Sequence, residues 1–262
     1  MRLEGRVVMI TGASRGVGAA LARQAVAKGA LVALIARTAD DLESLRSELG
    51  DACVVATADV SSYDEVVTAV GKLTAELGRV DVLVNNAGIG LYGAFLDAEV
   101  ADVERLMQVN YLGAVHVLKA VLPGMVERRR GHIVSIGSIA GRIGAPFEAA
   151  YSATKFALAG LTEALSVELA PFGIDVTLVS PGPIDTPFFD ARGHAYERAH
   201  PKPVSPERVA ARILSCIEGR RSETFISPML RQAVIAKTLV PPLFRWGTAR
   251  TFAKELDSEA RR

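Results

Sequence analysis

Ser138, Tyr151 and Lys155 have the types and the spacing for acid–base chemistry. The segment EAAYSATKFALAGLTEAL around the last two reads as a long helix, on which residues four apart share a face. Tyr151 and Lys155 then present a phenol and an ammonium side by side. A free phenol titrates at about 10, too high to exchange protons readily at neutral pH, and a neighbouring cation favours the phenolate and lowers that value. Such a pair is an acid/base for a carbonyl or an alcohol. Ser138 follows the apolar run HIVSIG, which reads as a buried strand, so its hydroxyl is placed to hydrogen-bond the same substrate oxygen. Taken alone, a Tyr and a Lys four apart are better read as a pair on a helix surface, since the pattern is short and common. The elements before them change the odds.

Those elements alternate. Residues 6–10 are short, apolar and β-branched, as expected of a strand buried on both faces. A turn with Gly12, Gly16 and Gly18 follows and opens a helical pattern. Glycine permits the tight turn, and the free N–H groups of the helix start make an anion site suited to a pyrophosphate. The spacing GxxxGxG is not the usual GxGxxG, so the triplet is weak evidence by itself. Strands are expected again over 30–36, 53–58, 80–84, 131–137, 174–179 and 223–227, with helices over 38–49, 63–77, 100–128 and 205–218. The long helix over 100–128 is expected to kink at Pro123-Gly124, and Asn110, mid-helix among apolar neighbours, has a specific role rather than a solvent one. The order predicts an α/β fold, a doubly wound parallel sheet of about seven strands covered on both faces, with ligands at the carboxyl ends of the strands. Gly12, Arg37, Asp59, Asn86 and Ser138 all fall at such ends.

The second strand ends in Ala36-Arg37-Thr38. A dinucleotide fold that takes NAD carries an acid here for the ribose 2′-hydroxyl. A cation in its place, with Arg15 in the glycine turn, suits the 2′-phosphate of NADP(H) instead.

Composition narrows the class. The chain has 262 residues, half of them hydrophobic, and a formal net charge of +1 that gives no reason to expect nucleic-acid binding. Two cysteines make no disulfide framework, and the four histidines show no metal-ligand spacing, so no metal is expected. No uninterrupted apolar run reaches transmembrane length and no secretory signal opens the chain, which reads as a cytoplasmic protein. No linker or repeat divides residues 1–262, which read as one domain. Residues 229–262 differ in character, mixing apolar residues and the only Trp with Arg and Lys. They read as an amphipathic extension of two short helices broken at Pro241-Pro242. It either touches a membrane surface peripherally, covers an apolar substrate pocket, or packs on the body or on a second subunit. The irregular stretch 186–200 reads as a lid, and Leu91, Tyr92, Phe95, Phe147, Phe188 and Phe189 as an apolar pocket.

Together these residues resemble the short-chain dehydrogenase/reductase family, of the single-domain, NADP(H)-preferring kind. The matching motifs are residues 11–18 (TGASRGVG), Asp59-Val60, Asn85-Asn86-Ala87-Gly88, Asn110, Ser138, residues 151–155 (YSATK) and Pro181-Gly182, in the family's order. The resemblance implies a Rossmann-like fold and hydride transfer between nicotinamide and a carbonyl or alcohol. Tyr151 would be the general acid/base, Lys155 would lower its pKa and bind the nicotinamide ribose, Ser138 would polarise the substrate oxygen, and Asn110 would position a relay water. The cofactor would lie against Gly12, Ser14, Arg15, Gly16, Val17, Gly18, Arg37, Asp59, Val60, Asn86, Ala87, Gly88, Pro181, Gly182, Ile184 and Thr186, besides Tyr151 and Lys155. The partners implied are a small-molecule carbonyl or alcohol substrate and a second or further copy of the chain, as a homodimer or homotetramer.

Overall fold

The computed structural model describes residues 1–196 and 201–261. Seven strands form one parallel sheet in the order β3-β2-β1-β4-β5-β6-β7. They are β1 (Val7–Thr11), β2 (Leu31–Ala36), β3 (Cys53–Thr57), β4 (Val82–Asn85), β5 (Gly131–Ile136), β6 (Ile174–Ser180) and β7 (Glu223–Phe225). Alternate side chains of each strand enter opposite cores. Val8 and Ile10 of β1 face α1 (Gly16–Ala27), α2 (Ala39–Leu49) and α8 (Pro206–Gly219). Val7 and Met9 face α3 (Tyr63–Leu77) and the long helices of the other layer. Helices therefore cover both faces. The chain order reverses between β1 and β4, and a crevice opens there at the strands' carboxyl ends.

Helix starts follow the sequence. Ser62 accepts a hydrogen bond from the backbone N–H of Glu65 and Ser205 one from that of Arg208, each satisfying an orphan donor of a first turn.

Pro123, where a kink was expected, lies inside α5 (Gly113–Glu127), and an irregularity that was not expected falls earlier, where α4 (Val100–Met107) passes through one π turn, Gln108–Leu112. The widened turn lets the buried Asn110 leave the helical ladder and clasp the backbone of Ile89, accepting from its N–H at 2.8 Å and donating to its carbonyl at 2.9 Å. The helical run 100–127 is long and apolar enough to cross a bilayer, contrary to the reading from uninterrupted apolar residues. It lies against the sheet, with Val117, Val121 and Met125 buried in the core.

The helix α6 (Ala149–Glu168) carries Tyr151 and Lys155. The stretch after β6 is not wholly irregular, because Phe188–Ala191 form a turn of helix, α7; the lid expected to run to His200 extends past the described residues at 197–200. The extension holds three helices rather than two: α9 (Pro228–Leu239), α10 (Pro241–Thr251) and α11 (Ala253–Glu259). Pro241-Pro242 open α10, where a missing N–H costs nothing.

Candidate active site

The crevice is a cavity of about 780 Å³, within the ~300–1,000 Å³ typical of ligand pockets. Its first wall is the turn between β1 and α1. Gly12 has φ of +62°, and a Cβ there would come within 2.8 Å of the Ala87 Cα. A Cβ on Gly18 would lie 2.4 Å from the Gly12 carbonyl oxygen, so only glycine lets the helix start close on the turn. Asn86 holds the turn to β4, donating from its side chain to the carbonyls of Thr11 and Gly12 at 2.9 and 3.1 Å. No side chain caps α1, which leaves its first N–H groups directed at the cavity. A pyrophosphate fits this cradle, and a nicotinamide dinucleotide has one at its centre.

Ser14, Arg15, Gly16 and Val17 line the cavity, as do Arg37, Asp59, Val60, Ala87 and Gly88. Pro181, Gly182, Ile184 and Thr186 close the opposite side. Gly18 and Asn110, expected in the site, do not line it: Gly18 acts through backbone packing, and Asn110 lies behind Ile89. Arg37 is half-exposed and lies 3.7 Å from the Asp59 carboxylate. Burial alone would raise the Asp59 carboxyl, but hydrogen bonds from Ser61 and the charges of Arg37 and Arg105 bring it below its ordinary range.

At the cavity floor Ser138, Tyr151 and Lys155 meet. Ser138 follows β5 by two residues and accepts from the Ala140 N–H at 3.1 Å. Lys155 is buried and donates to the Ile136 carbonyl at 2.9 Å, with Nζ 5.8 Å from the Tyr151 ring centroid. The Asn110 carboxamide oxygen and Lys155 Nζ both approach Gly88, where a Cβ would meet them at 3.2 and 3.6 Å. The expectation that Lys155 lowers the Tyr151 pKa is corrected. Burial pushes the phenol up to about 12, and the hydrogen bond with Ser138 only partly opposes it. The same burial pushes the Lys155 ammonium down to about 8. Loss of water disfavours both charged forms.

The far end of the cavity is apolar. Tyr92, Phe188 and Phe189 line it as expected, whereas Leu91 does not and Phe95 is exposed outside. Phe147 stands just behind, stacked on Tyr92 and on Phe252. Leu230, Val240, Leu243, Phe244 and Phe252 of the extension complete the wall. The extension is fastened by Lys237, which donates to the Arg142 carbonyl at 2.8 Å and lies over the Phe156 ring. Two charged lining residues went unseen in the sequence, Glu148 and Arg192. Glu148 precedes Tyr151 by three, a helical spacing that was available as a signal; Arg192 had none.

Comparison with known proteins agrees with this geometry. The family model described as short chain dehydrogenase matches residues 6–197. The chain is 36% identical over 259 residues to dehydrogenase/reductase SDR family member 7B of Xenopus laevis, covering 92% of this chain and 80% of that protein. It is 42% identical over 197 residues to 3-ketodihydrosphingosine reductase of Bos taurus, covering 72% of this chain and 59% of that protein. A short-chain dehydrogenase/reductase of Burkholderia phymatum in complex with NAD superposes with a TM-score of 0.85 at 25% identity, over 93% of this chain and 96% of that one.

Proposed function

The chain belongs to the short-chain dehydrogenase family, NAD(P)-dependent oxidoreductases of CH–OH and C=O groups, and on that premise we propose that it reduces an apolar ketone or acyl carbonyl with NADPH, Tyr151 giving the proton. One observation carries the reading. A single cavity has Arg15 and Arg37 at one end, Ser138, Tyr151 and Lys155 at its floor, and aromatic and aliphatic side chains at the other end. The name of the bovine relative, a reductase of a keto compound, supports the same direction.

Bound NADPH would supply the hydride to the carbonyl carbon. The Ser138 hydroxyl holds the carbonyl oxygen, and the Tyr151 phenol donates its proton to that oxygen as negative charge develops there. Burial keeps the phenol protonated up to about pH 12, the form that reduction needs at the start of each turnover. Lys155 carries the compensating charge when the phenolate forms, and holds the ribose hydroxyls of the nicotinamide side. Asn110 fixes the floor through Ile89, and its carbonyl oxygen keeps a second lone pair for a relay water behind Lys155. Arg37 and Arg15 grip the 2′-phosphate, for which the guanidinium fork is the better match than an ammonium.

Two surfaces bear on partners. Phe156 and Val167 of α6 and Val100 of α4 are exposed, which supports pairing of these helices between copies of the chain. On α10, Leu243 and Trp246 are 62% and 60% exposed beside the exposed Arg245 and Arg250. This mixture supports peripheral contact of the extension with an anionic lipid surface. Light scattering and co-sedimentation with phosphatidylserine vesicles check the two.

The decisive test is NADPH oxidation against a panel of small, aromatic and long-chain ketones, with Tyr151→Phe in parallel. The variant is expected to keep its fold and NADPH affinity and to lose about 10²–10⁴ in kcat. Retention of most of the wild-type kcat would remove Tyr151 as the proton donor.

A further inference from the structure

Helix α10 has two working sides. Phe244, Gly247, Thr248 and Thr251 line the cavity. Leu243, Trp246 and Arg250, at positions i, i+3 and i+7, share another face, where the Arg250 guanidinium lies 5.6 Å from the Trp246 ring centroid. Val240 and Leu243 belong to both sides. They line the cavity, yet they are 44% and 62% exposed, as no other large apolar lining residue is among the described residues. Side chains that line a cavity and still meet solvent stand at its rim. The apolar rim of the substrate end therefore lies at the junction of α9 and α10, and the exposed Ile235, Leu239 and Trp246 continue it outwards.

Charge says what covers this rim. Over residues 228–254 the extension carries Arg231, Lys237, Arg245, Arg250 and Lys254 and no acid, in a chain whose net charge is +1; acids return only with Glu255, Asp257 and Glu259 in α11. A second copy seated about a two-fold axis would lay these cations against themselves. An anionic leaflet answers them with its headgroups, while Trp246 and the leucines enter the boundary of its acyl chains. Each methylene of a ketone favours lipid over water about fourfold, so a long-chain ketone is scarce in water and concentrated in the leaflet. We propose that the α9–α10 rim docks on an anionic membrane and opens the substrate end into it, so that the substrates are long-chain ketones taken from the bilayer without crossing water. This rests on the carbonyl-reductase reading of the same cavity.

Trp246 is the only Trp of the chain, so its emission reports on this face directly. Vesicles of phosphatidylserine and phosphatidylcholine should shift it to the blue, and brominated acyl chains should quench it. A Leu239→Glu, Arg245→Glu double variant keeps Trp246 and alters two exposed residues that do not line the cavity. It should bind the vesicles at least about tenfold more weakly, since each cation near an anionic surface contributes several-fold. NADPH oxidation is then followed with methyl pentadecyl ketone, supplied in vesicles or as a cyclodextrin complex, and with the water-soluble methyl propyl ketone. The variant should lose about tenfold in kcat/KM with the vesicle-held ketone and stay within about twofold of wild type in the other two assays. Unshifted wild-type emission, equal rates from vesicles, or an equal loss from both carriers would overturn the proposal. So would light scattering that finds the variant at half the mass of wild type, which would assign the face to contact between copies of the chain. Should the variant fail to fold, the wild-type emission still decides the docking. Absence of turnover with every ketone would refute the reductase, while the rate at which the NADP⁺ form takes up radiolabelled methyl pentadecyl ketone from each carrier would still decide the route.

Discussion

The two ends of the cavity are built by different means. The cofactor end is made of backbone: a glycine turn, an uncapped helix start and the Asn86 side chain spent on main-chain carbonyls. Its pieces come from the ends of β1, β2 and β4, whose positions the parallel hydrogen-bond ladder fixes. The substrate end is made of side chains, supplied by the segment after β6 and by the helices α9 and α10 that follow the last strand. A backbone cradle recognises what all its ligands share, a pyrophosphate, and tolerates almost no substitution. A wall of side chains on appended segments can change from one relative to the next without disturbing the sheet.

That contrast can be broken or sharpened by experiment. The largest effect is expected at the backbone end. Gly18→Val forces atoms against the Gly12 carbonyl and should weaken NADPH binding by about 10²-fold, the cost of an ångström's misplacement, while far-ultraviolet dichroism stays near wild type. Normal cofactor affinity in this variant would show that the cradle is looser than described.

A comparable effect in stability lies away from both ends. His132 is buried within β5, its Nε2 2.7 Å from the Thr177 hydroxyl, and burial pushes its imidazole down to about 4. The neutral form is favoured in the folded state only. Folding stability is therefore complete above the ordinary value of about 6.5 and falls as pH drops towards 4, by about 3 kcal/mol at ~1.4 kcal/mol per unit. Urea unfolding at pH 7 and pH 4.5 measures it, and His132→Gln should remove most of that difference. A variant with the same pH dependence as wild type would assign the loss to other groups.

The next effect is on cofactor choice. Wild type is expected to prefer NADPH over NADH at least tenfold in kcat/KM, about 1.4 kcal/mol, and an Ala36→Asp, Arg37→Ala double variant to lose that preference. An unchanged preference would move phosphate recognition from Arg37 to Arg15. The smallest effect is at the side-chain end. Phe244→Ala should raise KM several-fold for long apolar ketones and leave small ones nearly unaffected, since about 1–2 kcal/mol of apolar contact is lost only with substrates that reach it. Equal loss for all substrates would mean that the extension supports the fold rather than the pocket.

Much of the frame was legible from neighbours in the chain. The helix Tyr63–Leu77 has the bounds its apolar periodicity implies, and Ser138, Tyr151 and Lys155 meet at the cavity floor. The departures have a common origin. Asn110 bends its helix into a π turn because it bonds Ile89, 21 residues away, and helical propensity near Pro123 carries no trace of that partner. Phe95 looked like a pocket residue because its type suited one, yet it stands in solvent.

The sequence by itself determined the order of strands and helices, the glycine turn and the acid–base trio, because hydrophobic period, φ freedom and helical spacing are properties of consecutive residues. Only the tertiary structure decided the direction in which Tyr151 and Lys155 titrate, since desolvation sums over every atom packed around a group. It alone decided that Glu148 meets Arg192 across 44 residues, and that α9 and α10 close the cavity, because side chains on separate elements touch only where the fold brings those elements together.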